Sequence, residues 1–376
     1  MKKIWIAIVI IAILAFAIAL VVTHAKKEAK DIKVGIILPL TGPGAPYGQA
    51  EREGMELAAR EANESGGIKG KKLLLSIEDS QTDPATGVAA IIKLIQIDKV
   101  KIIIGDLASS VTLAIAPIAE KNKVVLITPG SSSPKISRAG DYIFRLYPSD
   151  DYQGKILAEW AFENAIKKVG ILYINNDYGV GLKDKFKGEF ENRGGIIPVE
   201  EAYEQGEKDF RTHLTKLKAR DVGGMFIIAA GQENANILIQ LKELGINKRV
   251  FAPDSFKDEN IIKVAGNAAE GVVCSAPSFS LLEKRKVVIT FLSDYKTAYK
   301  KEPNVFAAYG YDSVSLVSKL VRSYGYDSSV IKNELHRIKF EGVIGEISFD
   351  ESGDLVPRME FYIVKDGKFQ LLEATK

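Results

Sequence analysis

Six polar segments draw attention because each follows a short apolar run and carries groups able to hold a small polar molecule: "TGPGAPYG", "GDLASSVT", "TPGSSSP", "NNDYGVG", "AAGQEN" and "APDS". Their glycines permit close backbone approach and their serines and threonines supply hydroxyls, while Tyr47, Tyr178 and Asp254 add two aromatics and a carboxylate. Taken singly, each has a plainer reading. The Gly-Pro loop makes a turn, Ser109 or Ser110 caps the helix that follows, and Asp254 is itself an N-cap. Six such loops on successive strand ends point instead to a cleft for a small polar ligand. In an open parallel sheet, ligands gather beyond the carboxyl ends of the strands, at helix N-termini whose free N–H groups attract anions.

Catalytic signatures are missing: the chain has no GxxxxGK[ST], no GxSxG and no HExxH. Its three histidines, His24, His213 and His336, stand apart from one another and from the six loops, so neither a serine triad nor a metal site is expected. The reading is a binding protein, not an enzyme, with no cofactor. With 51 basic against 48 acidic residues and a net charge of +3, the chain lacks the footprint of a nucleic-acid binder. Cys274 is the only cysteine, which rules out an intramolecular disulfide and a lipid-modified N-terminal cysteine.

The elements that must position these loops alternate β-branched runs with amphipathic segments, the pattern of a doubly wound α/β fold. Strands are expected at Lys33 to Leu38, Leu73 to Glu78, Ile102 to Gly105 and Val124 to Thr128, with helices at Gly48 to Ser65, Asp83 to Ile97 and Thr112 to Lys121. Asp83 followed by Pro84 is a helix start. A second set begins near Val169 with "KVGILYI", "GLKDKFKGEFENRGG", "GGMFIIAA", "ENANILIQLKELG" and "RVFAPDS". Between the sets, "FRLYPSDDYQG" reads as a crossover. After Pro277 come helices rich in Lys and Tyr, a strand with a turn in "VIGEISFDESGDL" and a final strand in "MEFYIVKDG", pieces that complete the earlier lobes. A chain of 376 residues also exceeds what one core usually supports.

Ahead of these elements, Ile4 to Val22 form 19 consecutive apolar residues flanked by Lys2, Lys3, Lys26, Lys27 and Lys30. At 1.5 Å per residue such a run spans about 28 Å, close to the hydrocarbon thickness of a bilayer. It reads as an uncleaved anchor with an exported body; the alternative is a signal peptide cleaved after Thr23-His24-Ala25.

The stretch "GIILPLTGPGAPYGQAEREGMELAAREANESGGIKGKKLLLSIEDSQTDP", with "IIIGDLASSVTLAIAP", "VVLITPGSSSP", "YIFRLYPSDDYQG", "VGILYINNDYGVGLKDKF" and "FIIAAGQENANILIQLKELG", resembles the leucine/isoleucine/valine-type periplasmic binding proteins, the solute receptors of ABC importers. The likeness covers nearly the whole chain after residue 30. It implies the type I periplasmic binding protein fold: two doubly wound parallel-sheet lobes joined by a three-crossover hinge, preceded here by the anchor or signal segment at 1–30. The crossovers would fall near Ser149, Pro277 and Phe361, making lobe 1 of 31–149 plus 278–357 and lobe 2 of 150–277 plus 358–376. It also implies capture of an amino-acid-like ligand for an ABC permease. By the same resemblance Tyr47 is the aromatic of the first loop, Ser109 a hydroxyl for the α-carboxylate, and Gly130 and Ser132 further contacts. Tyr178 is an aromatic lid and Asp254 the partner of an α-ammonium group. Where amino-acid receptors often place another aromatic, this chain has Gly231-Gln232. Relatives that bind amides, urea or aromatic acids share much of the pattern, so a ligand-sensing receptor domain for an amide, urea or small carboxylate is the alternative.

Overall fold

The computed structural model describes residues 31–279, 281, 283–355 and 359–372. The Ile4 to Val22 run lies outside the described residues, and among these no helix is long and apolar enough to cross a membrane.

The chain builds two sheets in succession. The first comprises β1 (Ile32–Leu38), β2 (Leu73–Asp79), β3 (Ile102–Gly105), β4 (Val125–Thr128) and β5 (Ile143–Arg145). Its order is β2-β1-β3-β4-β5, and every pairing is parallel. Helices α1 (Ala45–Glu64), α2 (Pro84–Gln96) and α3 (Ser109–Lys121) connect its first strands. A parallel return needs such a crossover, and the helices it supplies bury both faces of the sheet. Asp83 caps α2 as its sequence suggests, accepting the Thr86 N–H. α1 starts three residues earlier than expected, because Pro46 fits the first turn of a helix.

Next come α4 (Asp150–Glu163), β6 (Lys168–Ile174), α5 (Asp177–Asn192), β7 (Ile196–Tyr203), α6 (Arg211–Lys218), β8 (Gly224–Ile228), α7 (Gln232–Glu243), β9 (Arg249–Ala252), α8 (Glu259–Ala265) and β10 (Val273–Pro277). The remainder is α9 (Lys286–Tyr299), α10 (Val305–Tyr324), α11 (Ser328–Leu335), the hairpin β11 (Phe340–Gly342) and β12 (Gly345–Ile347), and the pair β13 (Met359–Lys365) and β14 (Lys368–Leu371). The second sheet runs β14-β13-β10-β9-β8-β6-β7. It is mixed, which corrects the expectation of an all-parallel sheet: β13 pairs antiparallel with β10, and β14 folds back on β13. For β14 the reason is local. Asp366 and Gly367 both adopt positive φ, the geometry of a two-residue hairpin turn, and such a turn can only return a strand antiparallel. Phe361 therefore lies inside β13, opposite Ser275.

The late helices α9, α10 and α11 and the strand β12 share a core with the first sheet and α1, through Phe291, Leu316, Ile331 and Ile347 with Ile36, Met55 and Ile104. α10 lies hard against α1. A Cβ at Gly54 would sit 1.9 Å from the Ala307 carbonyl oxygen, and one at Gly310 would sit 2.1 Å from that of Glu51. Only glycines permit this approach, which carries Phe306 at the start of α10 to the carboxyl edge of the first sheet.

Candidate functional site

At the strand ends of the first sheet, one knot of hydrogen bonds fixes two loops together. The Asp106 carbonyl oxygen accepts the hydroxyls of Thr112 (2.9 Å), Thr128 (2.6 Å) and Ser131 (2.9 Å). The loop after β3 is thereby tied to the loop after β4, and Ser109 comes to lie beside Gly130 and Ser132. Gly105, at φ +134°, has no alternative residue: a Cβ there would fall 1.9 Å from the Ile37 carbonyl oxygen. The whole arrangement rests on Arg145, fully buried at the end of β5. Its guanidinium donates to both Asp354 carboxylate oxygens, to the carbonyls of Ser132 and Ser133, and to Ser137 Oγ. All its donors are thus committed, and the charge is spent on structure.

The six residues singled out from the sequence line one cavity of about 110 Å³, joined there by Tyr147, Glu233, Ser255, Leu107, Ile174 and Phe306. Ser109 does not cap its helix. It is the first residue of α3, and its Oγ accepts the Ser133 N–H at 3.2 Å. Its backbone N–H and that of Ser110 have no intrahelical acceptor, so a helix N-terminus opens on the cavity. Ser132 is otherwise engaged, its hydroxyl donating to Asp150 at 3.0 Å. Asp254 is not a helix cap either. It opens a short 3-10 turn, Asp258 caps α8, and the Asp254 carboxylate accepts the Tyr147 hydroxyl. Burial raises the pKa of Asp254, opposed by hydrogen bonds from Tyr147 and Gln153.

Two tyrosines close the other walls. Tyr178, in the first turn of α5, donates to Ser255 Oγ at 3.0 Å, and that hydroxyl in turn donates to the Ala229 carbonyl at 2.6 Å. Tyr47, in the first turn of α1, reaches from the first sheet's side to the second's. Its hydroxyl donates to the Ser255 carbonyl at 3.1 Å and accepts the Gly231 N–H at 2.7 Å. Burial raises its pKa, so it stays a neutral phenol. Its ring lies 4.7 Å from that of Phe306, which stacks in turn on Tyr147.

Among the described residues, the charged ones lining the cavity are Glu233 and Asp254, with no lysine, arginine or histidine. Glu233 accepts the Tyr203 hydroxyl and the Gly206 N–H, both at 2.7 Å, and burial raises its pKa. Glu51 in α1 is fully buried, both its carboxyl oxygens are without a hydrogen-bond partner among the described residues, and desolvation pushes its pKa well above the usual carboxylate range. No group of three or more His, Cys, Asp or Glu among the described residues could hold a metal.

Sequence reasoning missed Tyr147, Phe306 and Glu233. Tyr147 sat in the segment read as a crossover, and Phe306 begins a helix far along the chain with no loop signature. Glu233 lies in "AAGQEN", where an acidic residue in the first turn of a helix has an ordinary role against the helix dipole.

The family profile of periplasmic binding proteins matches residues 31–368. The chain is 31% identical over 331 residues to the leucine-, isoleucine-, valine-, threonine- and alanine-binding protein of Pseudomonas aeruginosa, covering 87% of this chain and 88% of that one. Among solved structures it superposes on the leucine-binding protein LivK of Thermotoga maritima with a TM-score of 0.85 at 30% identity, over 91% of this chain and 97% of the other. On LivJ of Streptococcus pneumoniae, solved in complex with isoleucine, the TM-score is 0.84 at 30% identity, over 91% and 99%. A profile match over most of the chain, relatives about 30% identical over nearly its whole length, and an α/β fold shared with these structures lead to one conclusion: the chain belongs to the periplasmic binding protein family, a type I fold that acts outside the cytoplasm as a solute receptor and not as an enzyme.

Proposed function

We propose that this protein captures a small aliphatic α-amino acid between two lobes and delivers it to an ABC permease. One observation carries the reading: one cavity is lined both by a helix N-terminus, suited to a carboxylate, and by the Asp254 carboxylate, suited to an ammonium, together with Leu107, Ile174 and Phe306. A simple carboxylate would meet Glu233 and Asp254 with no cation to offset them. A zwitterion satisfies both ends. In this assignment Ser109 and Gly130 hold the ligand's carboxylate, Asp254 its ammonium, and Tyr47 and Tyr178 close over it; Ser132 acts through the loop it anchors. The lobes are 31–149 with 278–357 and 150–277 with 358–376, hinged where the chain passes between the sheets. Residues 4–22 hold the protein on the outer face of the membrane.

Calorimetric titration with the aliphatic amino acids, then with the deaminated acid and the decarboxylated amine of the tightest binder, tests the assignment. Loss of one member of a buried charge pair costs about 2–5 kcal/mol, so each analogue should bind roughly 30- to 5,000-fold more weakly. An acid, amide or urea that binds as tightly as any amino acid defeats the zwitterion reading.

A further inference from the structure

The edge of the first sheet opposite the cavity has a composition that ligand capture does not use. Because all five strands are parallel, their N-terminal ends share this edge, and a lysine stands at or near the start of several: Lys72 just before β2, Lys101 just before β3 and Lys123 two residues before β4. With neighbouring strands about 4.8 Å apart, these positions lie along one short row. Lys69, Lys99 and Lys121 extend it. All six are exposed, and none makes an ion pair among the described residues. The carboxylates nearby are already engaged: Asp98 pairs with Lys33 at 3.6 Å, and Asp31 accepts the Lys72 N–H at 3.0 Å. In a chain of net charge +3, this is a local concentration of one sign. Two apolar side chains stand within it. Ile97 is 73% exposed and Leu74 38%, and both line a shallow depression of about 740 Å³ whose charged residues are Lys33, Lys69, Lys71 and Lys99 with Asp31 and Asp98. Protruding aliphatic groups, beside lysines that outnumber the carboxylates and, Lys33 apart, make no ion pair among the described residues, match an anionic lipid surface, in which the apolar tips enter the headgroup boundary and the ammonium groups meet phosphates.

The position of the chain supports that partner. Asp31 enters the fold on this same edge, and only residues 23–30 separate it in sequence from the 19-residue apolar run. Eight residues fully extended reach at most about 28 Å. We propose that the basic edge of the first sheet docks on anionic lipid headgroups, with the ligand cleft at the opposite end of that sheet. The inference draws support from the membrane-anchor reading but not from the identity of the ligand.

The test reconstitutes the full chain into nanodiscs of phosphatidylcholine alone and of phosphatidylcholine with about 30% phosphatidylglycerol, and follows lysine acetylation by mass spectrometry. Lys69, Lys72, Lys99 and Lys101 should be acetylated at least about fivefold more slowly in the anionic discs, with the protection lost near 1 M salt, where charges are screened within about 3 Å. Lys155 and Lys263, exposed on α4 and α8 of the other half, should react equally in both discs. Equal labelling of the edge lysines in the two discs overturns the proposal. So does equal protection of the same lysines by a DNA duplex added to the neutral discs, since the edge would then be a general polyanion surface. Gel filtration separates this inference from the anchor: a chain retained only by anionic discs removes the anchor and leaves the docking edge standing, and a chain free of both discs removes both.

Discussion

Replacing Tyr47 by Phe removes one of the hydroxyls that tie the first half of the molecule to the second across the cavity, the one bonded to two backbone groups of the second half. The ring stays, with its packing on Phe306 at 4.7 Å, so the wall keeps its shape. What disappears is a bond donated to the Ser255 carbonyl at 3.1 Å and one accepted from the Gly231 N–H at 2.7 Å. Each neutral hydrogen bond contributes about 0.5–1.5 kcal/mol net, so the pair is worth about 1–3 kcal/mol. If both form only when the halves close, that free energy belongs to the liganded state and affinity should fall by about 5- to 150-fold. Encounter with the open cleft does not involve them, so the loss should appear in the dissociation rate. Stopped-flow fluorescence of ligand release and calorimetry on wild type and Tyr47→Phe measure both quantities. A variant that binds and releases ligand within twofold of wild type would show that the hydroxyl does not latch the bound state, and the reasoning fails.

Further outcomes follow from other parts of the structure. Asp254→Asn removes the charge while keeping the shape and the capacity to accept the Tyr147 hydroxyl, and should weaken amino-acid binding by about 2–5 kcal/mol in calorimetry; a change below about 0.7 kcal/mol would mean that no ammonium sits there. Gly54→Ala places a methyl 1.9 Å from the Ala307 carbonyl oxygen, where helix backbone must shift, and chemical denaturation should show a loss of about 1–3 kcal/mol or more. Asp312 is buried, and its desolvation, opposed by the N–H groups of Ile344 and Val343, lifts its pKa to about 7. That value lies above the roughly 3.9 of an unfolded chain, so its stabilising contribution is complete below about pH 4 and is lost as pH rises through about 7. The Tm of wild type should therefore decline relative to that of Asp312→Asn between those limits, and a parallel pH dependence in the two proteins would rule the titration out. Small-angle scattering should show a smaller radius of gyration on ligand binding if the lobes are hinged; an unchanged radius at saturation argues against closure.

Much of this molecule could be read from its residues because the information was local. Runs such as "KVGIIL" and "KVGILYI" have the length and branching of buried parallel strands, Asp83-Pro84 is a helix start in any context, and a strand followed by a Gly- or Ser-rich loop has few uses other than a site. Several strands escaped, β10 and β11 among them, and for two the reason is equally local. β5 is three residues long, too short for any period, and β7 is a sheet edge whose Pro198, Glu200 and Glu201 blur its alternation. The antiparallel β13–β14 return was hidden in an Asp-Gly pair whose turn geometry only pairing reveals. Site residues divide in the same way. Tyr47, Ser109 and Asp254 announced themselves by following strands. Phe306 became a site residue only because the Gly54–Ala307 and Glu51–Gly310 contacts press α10 onto α1, Tyr147 because it follows the short β5, and Tyr47 meets Gly231 across 184 positions of sequence. Composition and period determine which segments are strands, helices and loops, since these depend on near neighbours. Which hydroxyl is free for a ligand and which is already spent, as at Ser132 on Asp150, depends on partners brought together by packing, and that only the tertiary structure decides.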